Sequence, residues 1–381
     1  MLERAFEGAV APVLAGAGIT VSGSAPYDLR VHDPRVYREA ALGGSLGLGE
    51  SYMRGDWDAD ELDVFFAKLL RPRHDHAGRT LPNLFLKLQG RFLNLQTLMR
   101  SRQVGRQHYD LGNVIESMLD RDFRLYSCAY WGRGAKTLEE AQRDKVRLIA
   151  EKLKLEPGMA VLDVGCGYGG LAAALARDYG VTVTGITISE DQARRSKKLC
   201  EGLPVDIRVL DYRKLADALP GARFDRVVSV GMFEHVGEKN YRAYFSAVAG
   251  MLKDDGLFLL HTIYGDEGGA DPWMNRYIFP GGYIPSTRQI EAAREGIFHV
   301  AEDIHNFGPD YDRTLGEWRT RFRAAWPALE AEYAAREGGR FYRMWDYYLS
   351  VCMGGFRARR LQVGQYVLSK NGIPGGYASV R

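Results

Sequence analysis

The run Val161-Leu162-Asp163-Val164-Gly165-Cys166-Gly167-Tyr168-Gly169-Gly170 limits what this chain can fold into more than any other stretch. An apolar strand enters a turn with glycine at alternate positions, and the helical pattern Leu171–Tyr179 comes next. Glycine admits positive φ and leaves no Cβ between backbone and ligand. A helix N-terminus behind such a turn offers unpaired N–H groups and the positive end of a dipole. The geometry suits a nucleotide-like ligand pressed against the backbone. Dinucleotide sites carry G-x-G-x-x-G. This loop is G-x-G-x-G-G with Asp163 two residues ahead of its first glycine, a form more typical of S-adenosylmethionine (SAM) sites. Taken alone, the loop also fits a tight strand–helix turn with no ligand.

The elements beyond the loop narrow the fold. The pattern predicts a helix at 170–179, a strand Val181–Ile186, a helix Glu190–Gly202 and a strand Ile207–Leu210. A strand Asp225–Val230, a helix Asn240–Leu252 and a strand Gly256–Thr262 after an Asp254-Asp255-Gly256 turn complete the series. Upstream, Thr137 and Glu140 make a capping box for a helix whose buried stripe is Val146, Ile149, Ala150 and Leu153. Alternating strands and helices give an α/β, doubly wound, Rossmann-like sheet with ligands at the strand carboxyl ends. A dehydrogenase needs an acid at the end of the second strand for the ribose hydroxyls. Here that strand runs out in Thr187-Ile188-Ser189, which counts against NAD. Asp211-Tyr212, after the third strand, is suited to hydrogen-bonding and stacking on an adenine.

At 381 residues the chain favours two domains, and 46% apolar residues suffice for a real core. The expected division is a small N-terminal α+β domain over 1–82, a basic amphipathic bridging helix over 83–106, and a catalytic domain over 107–381. Between Arg71 and Arg106 stand eight Lys/Arg and one acid, a net +7 that leaves −4 on the rest of a chain of net charge +3. The protein therefore has one basic belt rather than a basic surface, and nucleic acid is a poor partner. The bridging stripe (Leu84, Leu88, Phe92, Leu95) suits either packing between domains or an anionic membrane surface. No apolar run approaches the ~20 residues of a membrane span. The N-terminus has no secretory pattern, and Cys128, Cys166, Cys200 and Cys352 have neither zinc nor disulfide spacing. A reducing cytosol is the expected compartment. His74 and His76 on a charged loop read as surface rather than as metal ligands.

The segments TISEDQ, SVGMFEHVG, FLLHTI, DPWMNRYIFPGGYIPS, DIHNFGPDYDRTL, AAWP and GGFRARRLQ, with LGLGESYM and YSCAYW upstream, together resemble the cyclopropane-fatty-acyl-phospholipid synthase family. The resemblance runs from about Tyr37 to the C-terminus. Tyr168 stands where the family usually has Trp, and Tyr283 lies in a variable segment. The resemblance implies a SAM-dependent methyltransferase that adds a methylene across the cis double bond of an unsaturated acyl chain in a membrane phospholipid. It implies a cytoplasmic protein peripheral to the inner face of the membrane, and it leaves a homodimer open. The implied SAM contacts are Tyr126, Ser127, Asp163, Gly165, Gly167, Gly169, Thr187, Ile188, Gln192, Tyr212 and Arg213. The implied base is a bound bicarbonate ion held by Cys128, Glu234, His261, the Ile263 backbone and Tyr311, with no metal.

The chemistry accounts for such a set. An alkene is a weak nucleophile and must be held in line with the methyl donor in a dry pocket. Methyl transfer leaves a carbocation that must lose a proton before water attacks, so a base is needed within hydrogen-bond reach. Aromatic faces at Trp273, Tyr277, Phe279 and Tyr283 are candidates to hold the cation. Taken singly, His261 at the end of a buried strand and Cys128 both read as structural, as does Cys352. Two other functions stay open: SAM-dependent methylation giving a methyl-branched acyl chain, and a lipid-binding protein with an inactive methyltransferase domain.

Overall fold

The computed structural model describes residues 2–71 and 112–381, which divide into two compact units. The expected bridging helix, the basic belt beyond Arg71, and both His74 and His76 lie outside the described residues.

The first unit is mostly helical. It contains the described residues up to 71, together with Ala270–Pro280 and Tyr311–Leu361. Helices Leu2–Gly16, Arg35–Arg54 and Leu62–Leu69 flank an antiparallel ribbon of two short strands, β1 (Arg30–Val31) and β2 (Trp57–Asp58). Helix 35–54 bends at Gly44, whose φ of 55° and ψ of −131° only glycine adopts readily. Leu62, Phe65 and Phe66 of helix 62–69 form a buried apolar face. It packs on the helix Phe341–Arg357, with Phe66 edge-on to Tyr347 at 5.0 Å. Gly354 lets the helices meet, since a Cβ there would lie 2.4 Å from that of Phe66. Arg319 reaches both Asp346 and Asp63, tying the helix Gly308–Tyr333 to the same core. The division therefore differs from one cut near residue 82. Within this unit, the apolar faces at 273 and 341–356 pack on the N-terminal helices.

The second unit holds a seven-stranded sheet in the order β5-β4-β3-β6-β7-β9-β8. Its strands are β3 (Ala160–Val164), β4 (Thr182–Thr187), β5 (Val205–Val209), β6 (Phe224–Val230), β7 (Leu252–Gly265), β8 (His299–Asn306) and β9 (Leu361–Ser369). The first five in that spatial order pair in parallel, and β8 pairs antiparallel with β9. Alternate side chains feed opposite layers, as the period of two requires. Leu162, Val164, Phe258 and Leu260 face Tyr244, Phe245 and Val248 of the helix Tyr241–Met251. Val161, Val228, Leu257 and Leu259 face Val146 and Ile149 of the helix Leu138–Lys152 and Leu171 and Leu175 of the helix Gly170–Tyr179. Each such fully buried aliphatic side chain contributes ~2 kcal/mol.

The expected elements of this sheet recur with shifted ends. The helix at 190 stops at Leu199, because Cys200 enters a turn completed by Gly202 at φ 79°. The Asp254-Asp255-Gly256 turn is absorbed into β7, as an irregularity opposite Phe224 and Arg226. The Thr137–Glu140 capping box forms reciprocally, with the Glu140 N–H 3.2 Å from Thr137 Oγ1.

One close approach fixes where the glycine loop can sit. A Cβ on Gly170 would lie 1.6 Å from the carbonyl oxygen of Phe123, a backbone atom that cannot swing away. Gly170→Ala is expected to destabilise the protein by about 3 kcal/mol through overpacking, with the urea midpoint as readout. An unchanged midpoint would mean that the 120–125 turn moves freely.

Candidate active site

The carboxyl ends of β3, β4, β6 and β7 carry most of the residues singled out in the sequence. Asp163 pairs across the sheet with Gly185 on one side and Val228 on the other. Beyond it, Gly165, Gly167 and Gly169 all take positive φ. The N–H groups of Gly165 and Cys166 both donate to the Ile186 carbonyl, which lashes the loop to β4. The Ser196 hydroxyl donates to the Gly167 carbonyl at 2.8 Å. Among the described residues, no atom beyond its chain neighbours lies within 4 Å of the place a Gly167 Cβ would take, so that part of the loop is open to a ligand.

Asp163 is 1% exposed, and its Oδ2 has no hydrogen-bond partner among the described residues. Burial pushes its carboxyl up to about 7. An anion-forming group so placed, beside an open glycine cradle, fits a ligand that brings a cation to it. The methionine part of SAM does so through its ammonium. The residues present thus fit the cofactor.

At the end of β4, Thr187 Oγ1 and Gln192 Oε1 lie 2.7 Å apart, and the Ser189 hydroxyl caps the helix Glu190–Leu199 by accepting from the Gln192 N–H. Ile188 lies between them. After β5 come Asp211 and Tyr212, the residues expected at the adenine. Tyr212 is buried in the core, 5.2 Å from Tyr244, and Asp211 is engaged by the Arg213 guanidinium.

Contacts run directly from the loop to the second cluster. A Cβ on Gly165 would meet Met232 at 2.7 Å, and one on Gly231 would come 3.9 Å from Ser127. The Gly231 N–H donates to the His261 carbonyl at 3.0 Å, and Val230 pairs with His261 across the sheet. Glu234, on the turn after β6, accepts the Ile263 N–H at 2.6 Å through Oε1. Its Oε2 is buried without a hydrogen-bond partner among the described residues. Burial raises the Glu234 carboxyl to about 7, against the opposing pull of the Ile263 N–H. The Ile263 N–H is therefore bonded to that carboxylate.

His261 is fully buried, and burial first, then the positive charge of Lys145 and Lys152, holds its imidazole neutral. Gln365 Nε2 lies 3.3 Å from its Nδ1, a contact in which the amide donates and the ring proton sits on Nε2. Cys128 is also fully buried, with its thiol 3.2 Å from the Ala129 carbonyl. Tyr126 precedes Ser127 on the same strip. Ser127, Cys128, Glu234, His261 and Ile263 thus belong to one unit, whereas Tyr311 belongs to the other. There its ring packs on Phe356 at 4.6 Å and Trp318 at 6.0 Å.

The aromatic candidates divide in the same way. Trp273 is buried against Tyr347 and Gly49, Tyr277 donates its hydroxyl to Glu50, and Phe279 meets Tyr348, all in the helical unit. Tyr283 belongs to the sheet unit, where its N–H donates to the Glu234 carbonyl at 2.8 Å. Sequence reasoning missed Asp120, Gln142, Lys145 and Gln365.

The glycine cradle, the buried acid beside it and the parallel sheet define a SAM-dependent methyltransferase. Comparisons agree: a crystal structure of coclaurine N-methyltransferase bound to N-methylheliamine and SAH shares the fold, at TM-score 0.68 and 21% identity over 85% of this chain and 99% of that one. Mycolic acid cyclopropane synthase CmaA1, complexed with SAH and CTAB, matches at TM-score 0.62 and 31% identity over 71% of this chain and 98% of that one. The cyclopropane-fatty-acyl-phospholipid synthase of Escherichia coli (strain K12) is 50% identical over 375 residues, 97% of this chain and 94% of its own. The mycolic acid cyclopropane synthetase family model matches residues 96–366, and the chain belongs to that family.

The buried acids give a pH test. A carboxyl whose folded value is raised binds protons in the folded state that the unfolded chain has released. Stability therefore falls as pH rises from about 4 to about 7. Asp163→Asn should flatten that loss by on the order of 3 kcal/mol in ligand-free protein and weaken SAH at least about tenfold by calorimetry. Unaltered SAH affinity would remove Asp163 from the cofactor site.

Proposed function

We propose that this chain adds a methylene from SAM across the cis double bond of an unsaturated acyl chain in a membrane phospholipid, closing a cyclopropane ring and releasing S-adenosylhomocysteine and a proton. The observation that carries the reading is the Glu234 carboxylate. It is buried and tied by one oxygen to the Ile263 N–H, while the other oxygen has no hydrogen-bond partner among the described residues. The 50% identity to a synthase named for this product supports it along nearly the whole chain.

When bound, SAM supplies an electrophilic methyl group, and a bicarbonate ion held by Cys128, Glu234, His261, the Ile263 backbone and Tyr311 would supply the base. The chain's own part rests on its side-chain chemistry. A neutral His261 with its proton on Nε2 is a hydrogen-bond donor that brings no competing base into the pocket. Glu234 with a value near neutrality can hold or accept a proton at working pH. The apolar layers around both exclude water, which would otherwise capture a carbocation. Tyr126, Ser127, Thr187, Ile188, Gln192 and Arg213 complete the proposed cofactor contacts, with Gly165, Gly167 and Gly169 beneath. Arg213 is the weaker member, because Asp211 already engages it.

No helix among the described residues is long and apolar enough to cross a membrane. We place the protein at the cytoplasmic face as a peripheral enzyme, with the N-terminal unit contacting lipid or a second copy. The test is incubation with SAM and unsaturated phospholipid vesicles, read by mass spectrometry of the acyl chains. A gain of one CH₂, about 14 mass units, with loss of the alkene signature is expected for the cyclopropane. The same gain as a methyl branch sinks ring closure, and no gain sinks the enzyme reading. Glu234→Gln should lower kcat about a hundredfold while leaving SAH affinity within about threefold. A parallel loss of SAH binding would reassign the residue to the cofactor.

A further inference from the structure

The helix Leu138–Lys152 turns an unusual face inward. Gln142, Lys145 and Lys152 are all fully buried among the apolar residues of its stripe. Two of the three have evident structural partners. Gln142 Nε2 donates to the carbonyls of Leu125 and Ser127, and Lys152 forms a buried ion pair with Glu302 at 3.0 Å. Lys145 differs. Its ammonium donates to the Ser127 hydroxyl at 2.7 Å, and no carboxylate among the described residues is in salt-bridge contact with it. Asp120 and Cys128 lie within electrostatic reach, but the Asp120 carboxylate is taken up by the N–H groups of Phe123, Arg124 and Leu125.

A buried ammonium without an ion-pair partner is costly to keep, so its position demands a reason. Its surroundings supply one. Ser127 adjoins Gly231, whose N–H is bonded to the His261 carbonyl, Cys128 lies within electrostatic reach of Lys145, and the Lys145 charge is felt at the His261 imidazole. The proposed anion site is thus bordered by a buried positive charge that no residue of the proposed set provides. Cys128, His261, Ile263 and Tyr311 bring no formal positive charge, and Glu234 can only add a negative one.

We propose that Lys145 is a positioning residue of the reaction. Through Ser127 it holds the Tyr126–Cys128 strip in place, and its buried charge completes the seat of the small oxyanion that takes up the proton. This rests on the bicarbonate reading above. A compact ammonium suits the task, because it gives a point charge without the forked geometry that would draw a carboxylate into bidentate contact.

The test uses the full-length protein with SAM and unsaturated phospholipid vesicles in buffer depleted of carbon dioxide, titrated with bicarbonate. Wild-type turnover should rise with bicarbonate. At saturating SAM, Lys145→Met should raise the half-saturating bicarbonate concentration at least about tenfold and lower kcat. Lys145→Gln retains a donor for Ser127 without the charge and should behave like Lys145→Met, whereas Lys145→Arg should recover part of the bicarbonate response. A wild-type bicarbonate response in Lys145→Met overturns the proposal alone. If wild-type turnover ignores bicarbonate, the anion reading falls and this proposal falls with it. Loss of the fold in both Met and Gln variants, seen by circular dichroism, overturns it in favour of a purely structural lysine.

Discussion

The bond from the Ile263 N–H to the Glu234 carboxylate joins a turn after one central strand to the end of its neighbour. Most of the site leans on it. The turn that carries Glu234 also carries Met232, which closes over Gly165 of the methyl-donor loop. The same β7 end that donates the N–H presents His261 one pleat earlier, and the Tyr283 backbone fastens to the Glu234 carbonyl from the other side. The 232–234 turn thereby adjoins the donor loop through Met232, the end of β7 through the Glu234 carboxylate and the 281–284 segment through the Glu234 backbone. The arrangement is strong because it is dry: an unpaired carboxylate oxygen in water contributes little, but here it has no competing solvent.

How much of this was legible in the sequence depends on the range over which each feature is encoded. The parallel strands and their helices were, because period-two and period-3.6 patterns are local, and the capping box at Thr137 is a four-residue signal. The glycine loop was legible for the same reason. Element ends shifted where tertiary pairing prevailed, as when β7 absorbed the Asp254-Asp255-Gly256 turn because Leu252 found Phe224 across the sheet. The burial of Tyr212 against Tyr244 is a tertiary contact that its sequence neighbours do not encode.

The site itself was only partly legible. Glu234, His261 and Cys128 carry no mutual spacing, and only the resemblance of whole segments singled them out. Lys145 and Gln142 were invisible for a different reason. A polar residue on an amphipathic helix is assigned to solvent by default, and their burial emerges only once the 123–128 strip lies over the helix. The domain division was illegible because it is set by contacts such as Phe66 against Gly354, which are far apart in sequence.

The place of β9 has a consequence for how the protein comes into being. Residues 361–369 lie between β7 and β8, so the sheet has a gap at that position until β9, which follows every other strand of the sheet in sequence, has been synthesised. The helical unit likewise waits for residues 341–357 to cover Phe65 and Phe66. During synthesis the edge of β7 and an apolar helical face are both uncovered, the two kinds of surface that invite association with other chains. The Gln365 that steadies His261 arrives on that same last strand. Completion of the sheet and completion of the buried histidine's surroundings are therefore one event, and a nascent chain cannot have a finished site before it has a finished fold.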